Sequence, residues 1–261
     1  MDLGLQGRTA LITGGSKGIG KAIALVLAEE GAAHLHLCSR TREELEATAG
    51  EIRAAHGTQV TIHPLDLSNS SNVAMLAQAC QDVDFLVNNA GAIPGGSIAE
   101  VDERKWRDAW DLKVFGYINM CREFYPIMTG RGHGVILNII GSGGQVPDPN
   151  YIAGVMGNRT LMMLSQALGA RSVEHGVRVL AINPGLIATD RMLSLLQAKA
   201  ELLLGDGKRW EELLTIQPMN RAGTVDEVAP MAAFLLSRHA AYISGTVVTI
   251  DAGHSQRVDL F

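Results

Sequence analysis

The fold is decided at residues 13–20, which read Thr13-Gly14-Gly15-Ser16-Lys17-Gly18-Ile19-Gly20. This stretch follows a short apolar run, Thr9–Thr13, and precedes Lys21–Glu30, where apolar residues recur with helical spacing. Glycines in such a turn let the backbone approach a pyrophosphate closely, and the N-terminus of the following helix supplies N–H donors and a positive dipole end. Because glycine-rich turns also connect strands to helices without binding a ligand, the position between a strand and a helix carries the argument. The stretch predicts a nucleotide site at the first turn of a βαβ unit.

The alternation of strand and helix continues along the chain. Further apolar runs of strand length lie at Ala33–Cys38, Val60–Pro64, Phe85–Asn88, Val135–Ile140, Arg178–Asn183 and Thr246–Asp251. Two stretches with helical spacing separate the first three of these runs: Arg42–Ala55 lies before the run at 60–64, and Asn72–Cys80 lies after it. This alternation predicts a parallel sheet with helices on both faces. Since no internal repeat or Pro-rich linker divides the 261 residues, we expect one doubly wound, Rossmann-type α/β domain over residues 1–261.

Composition narrows the range of partners. The net charge is −5 and the Lys and Arg residues form no block, so we expect no nucleic acid partner. Neither a signal peptide nor an apolar run of membrane-spanning length is evident, so we expect no membrane association. Three scattered cysteines, Cys38, Cys80 and Cys121, are expected to be free buried thiols in a reducing cytoplasm. The eight histidines lack metal-ligand spacing, and the His34 and His36 pair has no third ligand nearby in sequence, so no metal site is predicted.

Motifs that follow the predicted strands resemble those of the short-chain dehydrogenase/reductase family. The TGxxxGxG spacing of residues 13–20 is similar to the family's glycine motif, and Asn88-Asn89-Ala90-Gly91 is similar to its NNAG motif. Asn183-Pro184-Gly185-Leu186-Ile187-Ala188-Thr189 resembles the PG segment that contacts the nicotinamide carboxamide. Near the end, Ile243-Ser244-Gly245 and Ile250-Asp251-Ala252-Gly253 resemble the family's last strand. The resemblance covers about residues 8 to 253 and implies a nicotinamide dinucleotide cofactor.

The resemblance also implies which residues hold that cofactor. They are the glycine turn, the end of the second strand, the pair that follows the third strand, the NNAG motif, the PG segment and one residue of a later helix. By number they are Gly14, Ser16, Lys17, Gly18, Ile19, Gly20, Ser39, Arg40, Asp66, Leu67, Asn89, Ala90, Gly91, Asn158, Pro184, Gly185, Ile187 and Thr189.

The end of the second predicted strand favours NADP(H) over NAD(H). An acidic residue at this place would hydrogen-bond the ribose 2′-OH and repel a 2′-phosphate. The chain has Ser39 and Arg40 here, with Arg42 close behind and Lys17 in the glycine turn. Arg and Lys form charge-assisted contacts with phosphate, so we expect NADP(H), with NAD(H) as the alternative. In that alternative Arg40 stacks on the adenine and Lys17 is a solvated surface charge.

The family's catalytic residues are an Asn, a Ser and a Tyr-x-x-x-Lys pair, in which the Tyr exchanges the proton and the Lys lowers the pKa of the Tyr. Ungapped counting from the NNAG motif to the PG segment places other residues at these four positions, namely Lys113, Gly141, Gly154 and Asn158. A second alignment takes Tyr151 as the catalytic tyrosine, but it needs compensating gaps and puts Val155 at the Lys position. We therefore expect a non-standard catalytic site.

Three residues near these positions are candidate replacements. Tyr151 lies one helical turn before Gly154 on the same face, where the glycine leaves room for a displaced phenol. Lys113 is the expected helper of Tyr151, since a Lys flanked by apolar residues needs a partner. Ser142 follows Gly141 directly. The alternatives are that Tyr151 packs in the mouth of the pocket, that Lys113 faces solvent and that Ser142 only stabilises its loop, while Asn158 still binds the nicotinamide ribose.

The segment from about 190 to 217 is Leu-rich and resembles the family's substrate lid, although subunit contacts or packing would also account for it. The leading hypothesis is an NADP(H)-dependent oxidoreductase that acts on a small hydrophobic carbonyl or alcohol. The alternatives are a lyase or isomerase derived from the family, and a non-catalytic, dinucleotide-binding regulatory protein. The resemblance further implies a homo-oligomer, a dimer or a tetramer.

Overall fold

Seven parallel strands form one sheet in the computed structural model, which describes residues 1–257. The strands are β1 (Thr9–Thr13), β2 (His34–Ser39), β3 (Gln59–Pro64), β4 (Phe85–Asn88), β5 (Gly134–Ile139), β6 (Val177–Pro184) and β7 (Val247–Ile250). They lie in the order β3-β2-β1-β4-β5-β6-β7. Every predicted strand is present with both ends within one residue of the prediction, and the doubly wound α/β fold is confirmed. The last four residues of the predicted domain, 258–261, lie outside the described residues.

Eight α-helices are present in the described part of the chain. They are α1 (Gly18–Glu29), α2 (Arg42–His56), α3 (Ser70–Ala79), α4 (Glu103–Trp110), α5 (Gly116–Arg131), α6 (Ile152–Ser172), α7 (Asp190–Leu204) and α8 (Ala229–Leu236). Helices α1, α2 and α8 pack on one face of the sheet, and α3, α5 and α6 pack on the other. Residues 111–115 form a π-helical turn that joins α4 to α5.

The central strands are buried on both faces, which explains why they read as continuous apolar runs. In β1, Ile12 belongs to the core under α1 and α8, whereas its neighbour Leu11 belongs to the core under α3 and α5. The strand order reverses between β1 and β4, so the loops after these two strands diverge to opposite faces and leave a crevice between them. The glycine turn and the NNAG motif therefore meet at the carboxyl edge of the sheet.

Within residues 1–257, none of the helices combines the length and hydrophobicity that crossing a bilayer requires.

Candidate active site

The glycine turn packs tightly against the NNAG motif. A Cβ atom built on Gly14 would lie 2.7 Å from Asn89 Nδ2, and one on Gly20 would overlap the carbonyl oxygen of Gly14. Asn89 Nδ2 donates hydrogen bonds to the carbonyl oxygens of Thr13 and Gly14, each at 3.1 Å. The backbone N–H groups of Asn89 and Ala90 donate to Thr13 Oγ1 at 2.9 and 3.0 Å. The two motifs thus form one hydrogen-bonded unit in which only glycine fits at 14 and 20.

Most of the predicted cofactor residues line one cleft with a volume of 530 Å³. Its walls include Gly14, Ser16, Lys17, Gly18, Ser39, Arg40, Leu67, Asn89, Ala90, Gly91 and Thr189. Ile19, Gly185 and Ile187 line a neighbouring cavity of 290 Å³ that shares Thr189 with the cleft. Gly20 lies beneath the turn, Pro184 is buried at the end of β6, and Asp66 Oδ1 accepts hydrogen bonds from Ser68. Tertiary structure therefore gathers residues from the glycine turn, β2, β4 and the PG segment around one cleft.

An acidic residue that the sequence analysis did not single out lies in this cleft. Glu44 on α2 accepts hydrogen bonds from Lys17 Nζ at 2.9 Å and from Ser16 Oγ at 3.1 Å. The bond from Lys17 lowers the pKa of the Glu44 carboxyl, so the acid is ionised and offsets the charge of Lys17. Arg40 forms no ion pair with another described residue, and the buried Ser39 Oγ has no hydrogen-bond partner among them. Arg40 is therefore a cation of the cleft that no described acidic residue neutralises.

Lys113 lies in the π-helical turn and points into the protein. Its Nζ donates hydrogen bonds to the carbonyl oxygens of Ile139 and Ile140 at 3.0 and 3.1 Å, and to Tyr117 Oη at 3.1 Å. Tyr117 Oη in turn donates to the carbonyl oxygen of Ile139 at 2.7 Å. Burial lowers the pKa of Lys113 to about 7, with a further contribution from Arg191. Since Lys113 is buried, the alternative in which it faces solvent is wrong.

The phenol of Tyr151 occupies the space above Gly154. A Cβ atom on Gly154 would overlap Cζ, Cε1 and Cε2 of the Tyr151 ring, and one on Gly143 would lie 3.3 Å from Cε1. The ring packs beside an apolar cluster that includes Trp106 and Trp110. Burial raises the pKa of Tyr151, and the positive charge of Arg191 opposes that rise.

Arg191, near the start of α7, is a site residue that sequence reasoning missed. Its Nη1 donates to the carbonyl oxygen of Gly91 and its Nη2 to that of Ile93, both at 3.1 Å. It therefore attaches α7 to the loop after the NNAG motif, and its charge acts on both Tyr151 and Lys113. The expected contact between Lys113 and Tyr151 is not among the hydrogen bonds of Lys113, since its three donors are directed to Tyr117 and the end of β5. The available signal in the sequence was a cation two residues after the PG segment.

Asn158 and Ser142 lie on either side of Gly141. A Cβ atom on Gly141 would lie 3.1 Å from Asn158 Nδ2, and the backbone there has a φ of 142°, a conformation that favours glycine. Ser142 begins a short 3₁₀ turn, Ser142–Gly144, and its hydroxyl forms no hydrogen bond with another described residue. Asn183, at the end of β6, accepts a 3.4 Å hydrogen bond from the Gly141 N–H, while its buried Nδ2 has no partner in residues 1–257. The polar groups of Asn158, Ser142 and Asn183 therefore surround Gly141, which has no side chain.

Comparisons with known proteins agree with this geometry. The chain is 32% identical over 253 residues to galactitol 2-dehydrogenase (L-tagatose-forming) of Cereibacter sphaeroides, covering 96% of each chain. It is 32% identical over 262 residues to an NADPH-dependent reductase of Bacillus subtilis, covering 96% of this chain and 99% of the relative. The structure of L-sorbose reductase from Gluconobacter frateurii, complexed with NADPH and L-sorbose, superposes with a TM-score of 0.90 at 30% identity, covering 99% of this chain and 100% of the other. The NADPH of this neighbour agrees with the cofactor predicted from the sequence, NADP(H) with NAD(H) as the alternative.

The profile of the short chain dehydrogenase family matches residues 8–200, from the start of β1 into α7. The matched residues include the glycine turn, the NNAG motif and the PG segment, which the fold brings to one cleft. These relatives are oxidoreductases, and they match along nearly the whole chain. The protein belongs to the short-chain dehydrogenase/reductase family.

Proposed function

We propose that this protein is an NADP(H)-dependent oxidoreductase whose proton-transfer group is Tyr151, placed over Gly154 in a catalytic site that lacks the family's standard residues. The observation that carries the proposal is the overlap between the Tyr151 ring and the side-chain volume of residue 154. The phenol of Tyr151, three residues earlier in the chain, thus lies where a side chain of residue 154 would begin. By the spacing of the family's motifs, that is the position of the catalytic tyrosine.

The cleft residues fit the cofactor. Gly14 and Gly20 let the turn approach Asn89 closely, Ser39 offers an unpartnered hydroxyl and Arg40 offers an unpaired guanidinium. The glycine turn and the N-terminus of α1 would hold the pyrophosphate, and Arg40 would hold the 2′-phosphate. When bound, NADP(H) supplies or accepts the hydride. Lys17 contributes less than Arg40 in this proposal, because Glu44 neutralises it.

In this site Tyr151 and Arg191 replace the Tyr and Lys pair of the family. Burial holds the pKa of the phenol high, which keeps it protonated and able to donate to a carbonyl oxygen. The Arg191 guanidinium opposes that rise and stabilises the phenolate once the proton has left. Ser142 offers its hydroxyl to the substrate oxygen, and Asn158 offers its amide to the ribose.

Lys113 has a positioning part in this proposal. Its ammonium holds the carbonyl oxygens of Ile139 and Ile140 and so anchors the end of β5 to the π-helical turn. The glycine at 141, which follows these two residues, then stays open to substrate.

We propose further that residues 190–217 form a lid and that the substrate is a small hydrophobic carbonyl compound or alcohol. On the lid, Met192 and Leu196 are buried and Leu195 is half exposed, and all three line the cavity beside the PG segment. Trp106 and Trp110 lie in the cluster that packs against Tyr151. These side chains favour an apolar group beside the reacting carbon.

The test is steady-state oxidation of NADPH and of NADH with a panel of aliphatic, aromatic and sugar ketones, for the wild type and for Tyr151→Phe. We expect turnover with NADPH and a loss on the order of 10² in Tyr151→Phe, with NADPH affinity unchanged in a fluorescence titration. Turnover at the wild-type rate in Tyr151→Phe would remove it as the proton donor. Tight NADPH binding without turnover would favour a regulatory protein, and substrate conversion without net oxidation of NADPH would favour a lyase or isomerase.

A further inference from the structure

Three metal-ligating side chains meet at the β3 edge of the sheet, apart from the cofactor cleft. His36 lies on β2, His63 on β3 and Cys80 directly after α3. His36 Nδ1 is 2.9 Å from His63 Nε2, and Cys80 Sγ is 3.7 Å from the same His63 nitrogen. The three ligand atoms all lie within 4.8 Å of one another. None of the three residues lines the cofactor cleft.

One hydrogen bond accounts for the contact between His36 and His63 but not for the third group at the same nitrogen. A ring nitrogen of histidine carries either one proton or one lone pair, so His63 Nε2 forms one good hydrogen bond and not two. It nevertheless faces both His36 Nδ1 and Cys80 Sγ. Three potential ligand atoms this close together can be held by one metal ion in place of the hydrogen bond.

We propose that His36 Nδ1, His63 Nε2 and Cys80 Sγ bind a zinc ion, with water in the fourth position. Zinc bonds of 2.0–2.1 Å to nitrogen and 2.3 Å to sulfur give tetrahedral edges of roughly 3.3 Å between nitrogens and 3.6 Å between nitrogen and sulfur. The observed separations of 2.9 and 3.7 Å are within a few tenths of these edges. Two imidazoles with one thiolate suit zinc, whereas Mg²⁺ and Ca²⁺ prefer oxygen ligands.

Charge and protonation are compatible with a cation here. Histidine binds a metal ion through the lone pair of its neutral ring, so His36 and His63 would bring no charge of their own to the site. The thiol proton of Cys80 leaves to solvent as the Zn–S bond forms, and the charge of the ion compensates for the thiolate. The carboxylate of Asp82, two residues after Cys80, adds a negative charge near the cluster.

An ion at this point would join three segments that are far apart in the sequence. β3 is the outermost strand of the sheet on this side, and the half-buried His63 gives the cluster a route to solvent. A shared zinc would therefore clip the exposed edge strand and the end of α3 to β2. The prediction of no metal site rested on sequence spacing, which does not reveal that a strand pair and a helix end bring positions 36, 63 and 80 together.

The test uses the full chain without a polyhistidine tag, stripped with a chelator and titrated with Zn²⁺ against a chromophoric competitor. We expect one equivalent to bind per chain. In His63→Gln and Cys80→Ser the affinity should fall by more than the roughly 10- to 100-fold that even outer partners of metal ligands contribute. Matched controls are His56→Gln, an exposed histidine, and Cys121→Ala, a buried thiol elsewhere in the core, and both should bind as the wild type does.

A second measurement avoids dependence on the folding of variants. Co²⁺ added to the stripped wild type should give the visible bands of tetrahedral cobalt and a thiolate-to-cobalt charge-transfer band, which Cys121→Ala keeps. Circular dichroism and NADPH binding establish that each variant is folded, and neither depends on the zinc site. Absence of stoichiometric binding by the wild type, or the same charge-transfer band in a folded Cys80→Ser, would overturn the proposal.

Discussion

The Tyr151 ring fills the space that a side chain at position 154 would occupy. The residue at 154 therefore controls where the phenol lies. A methyl group at 154 would overlap three carbon atoms of the ring. Because Tyr151 precedes the first residue of α6, a shift of its side chain does not require the helix to move. The site is thus sensitive to the smallest possible substitution.

We expect Gly154→Ala to displace the phenol and to lower kcat by a factor on the order of 10². The same overpacking should lower the free energy of unfolding by about 1–3 kcal/mol. Gly130→Ala is the control, because a Cβ atom at this exposed position of α5 meets nothing within 4 Å. Steady-state kinetics and urea unfolding check both values, and a Gly154→Ala enzyme with wild-type kcat would contradict the assignment of Tyr151.

A second prediction at this scale concerns the choice of cofactor. Arg40→Ala should weaken NADPH binding by roughly 10- to 100-fold and leave NADH binding almost unchanged, since one charge-assisted phosphate contact is lost. Lys17→Ala should have a smaller effect, because Glu44 already pairs with Lys17 at 2.9 Å. Fluorescence titrations of both cofactors with both variants give the comparison. Equal losses for NADPH and NADH in Arg40→Ala would show that Arg40 does not contact the 2′-phosphate.

At the scale of elements, Arg191 is the described α7 side chain whose hydrogen bonds reach the loop after β4. Arg191 contacts two carbonyl oxygens of the loop after β4, and the same guanidinium acts on the pKa of Tyr151. The attachment of the proposed lid is therefore coupled to the proton-transfer group. The π-helical turn at 111–115 has a comparable part, because it directs Lys113 towards the end of β5.

Arg191→Gln should raise KM and speed amide hydrogen exchange in α7 by roughly 10-fold, since two charge-assisted hydrogen bonds are weakened. Removal of the cation should also raise the pKa of Tyr151, so the limb of the pH–rate profile that reports this group moves to higher pH. Arg209→Gln is the matched control, because Arg209 is a lid arginine that pairs with Glu212. An unchanged pH profile in Arg191→Gln would separate Arg191 from proton transfer.

At the scale of the whole molecule, apolar side chains are exposed on α6 and at the junction of α4 and α5. Phe115 is 50% exposed and Met163 is 60% exposed, and a groove of 450 Å³ beside Phe115 includes Trp106 and Trp110. Exposed apolar area of this kind is typical of subunit interfaces. We therefore retain the prediction of a homo-oligomer.

Light scattering at micromolar concentration should give the mass of a dimer or a tetramer for the wild type. Phe115→Lys with Met163→Lys should reduce that mass, because each places a charge in the buried centre of the interface. Tyr242→Lys, at a fully exposed residue, is the control. A monomeric mass for the wild type would rule the prediction out.

The sequence by itself determined the fold and the position of the cofactor cleft. The centres of strands buried on both faces must be apolar, so residues 10–12 of β1, 85–87 of β4 and 179–182 of β6 are visible as uninterrupted apolar runs. The glycine turn is equally visible, because close packing against Asn89 excludes any side chain at 14 or 20. The apolar runs and the glycine turn each consist of residues that are consecutive in the chain, so a single sequence reveals them. The proximity of Tyr151 to Gly154 was also predictable, since they are only three residues apart at the start of α6.

Only the tertiary structure decided which charged groups surround these elements. Arg191 reaches Gly91 across 100 residues, Glu44 reaches Lys17 from another helix, and Lys113 turns to the end of β5 instead of to Tyr151. The meeting of His36, His63 and Cys80 is of the same kind. Spacing along the chain carries no information about such contacts, because they depend on strand order and on how helices pack across the sheet. The long side chains of Arg, Lys and Glu then form hydrogen bonds with the groups that the fold brings within reach.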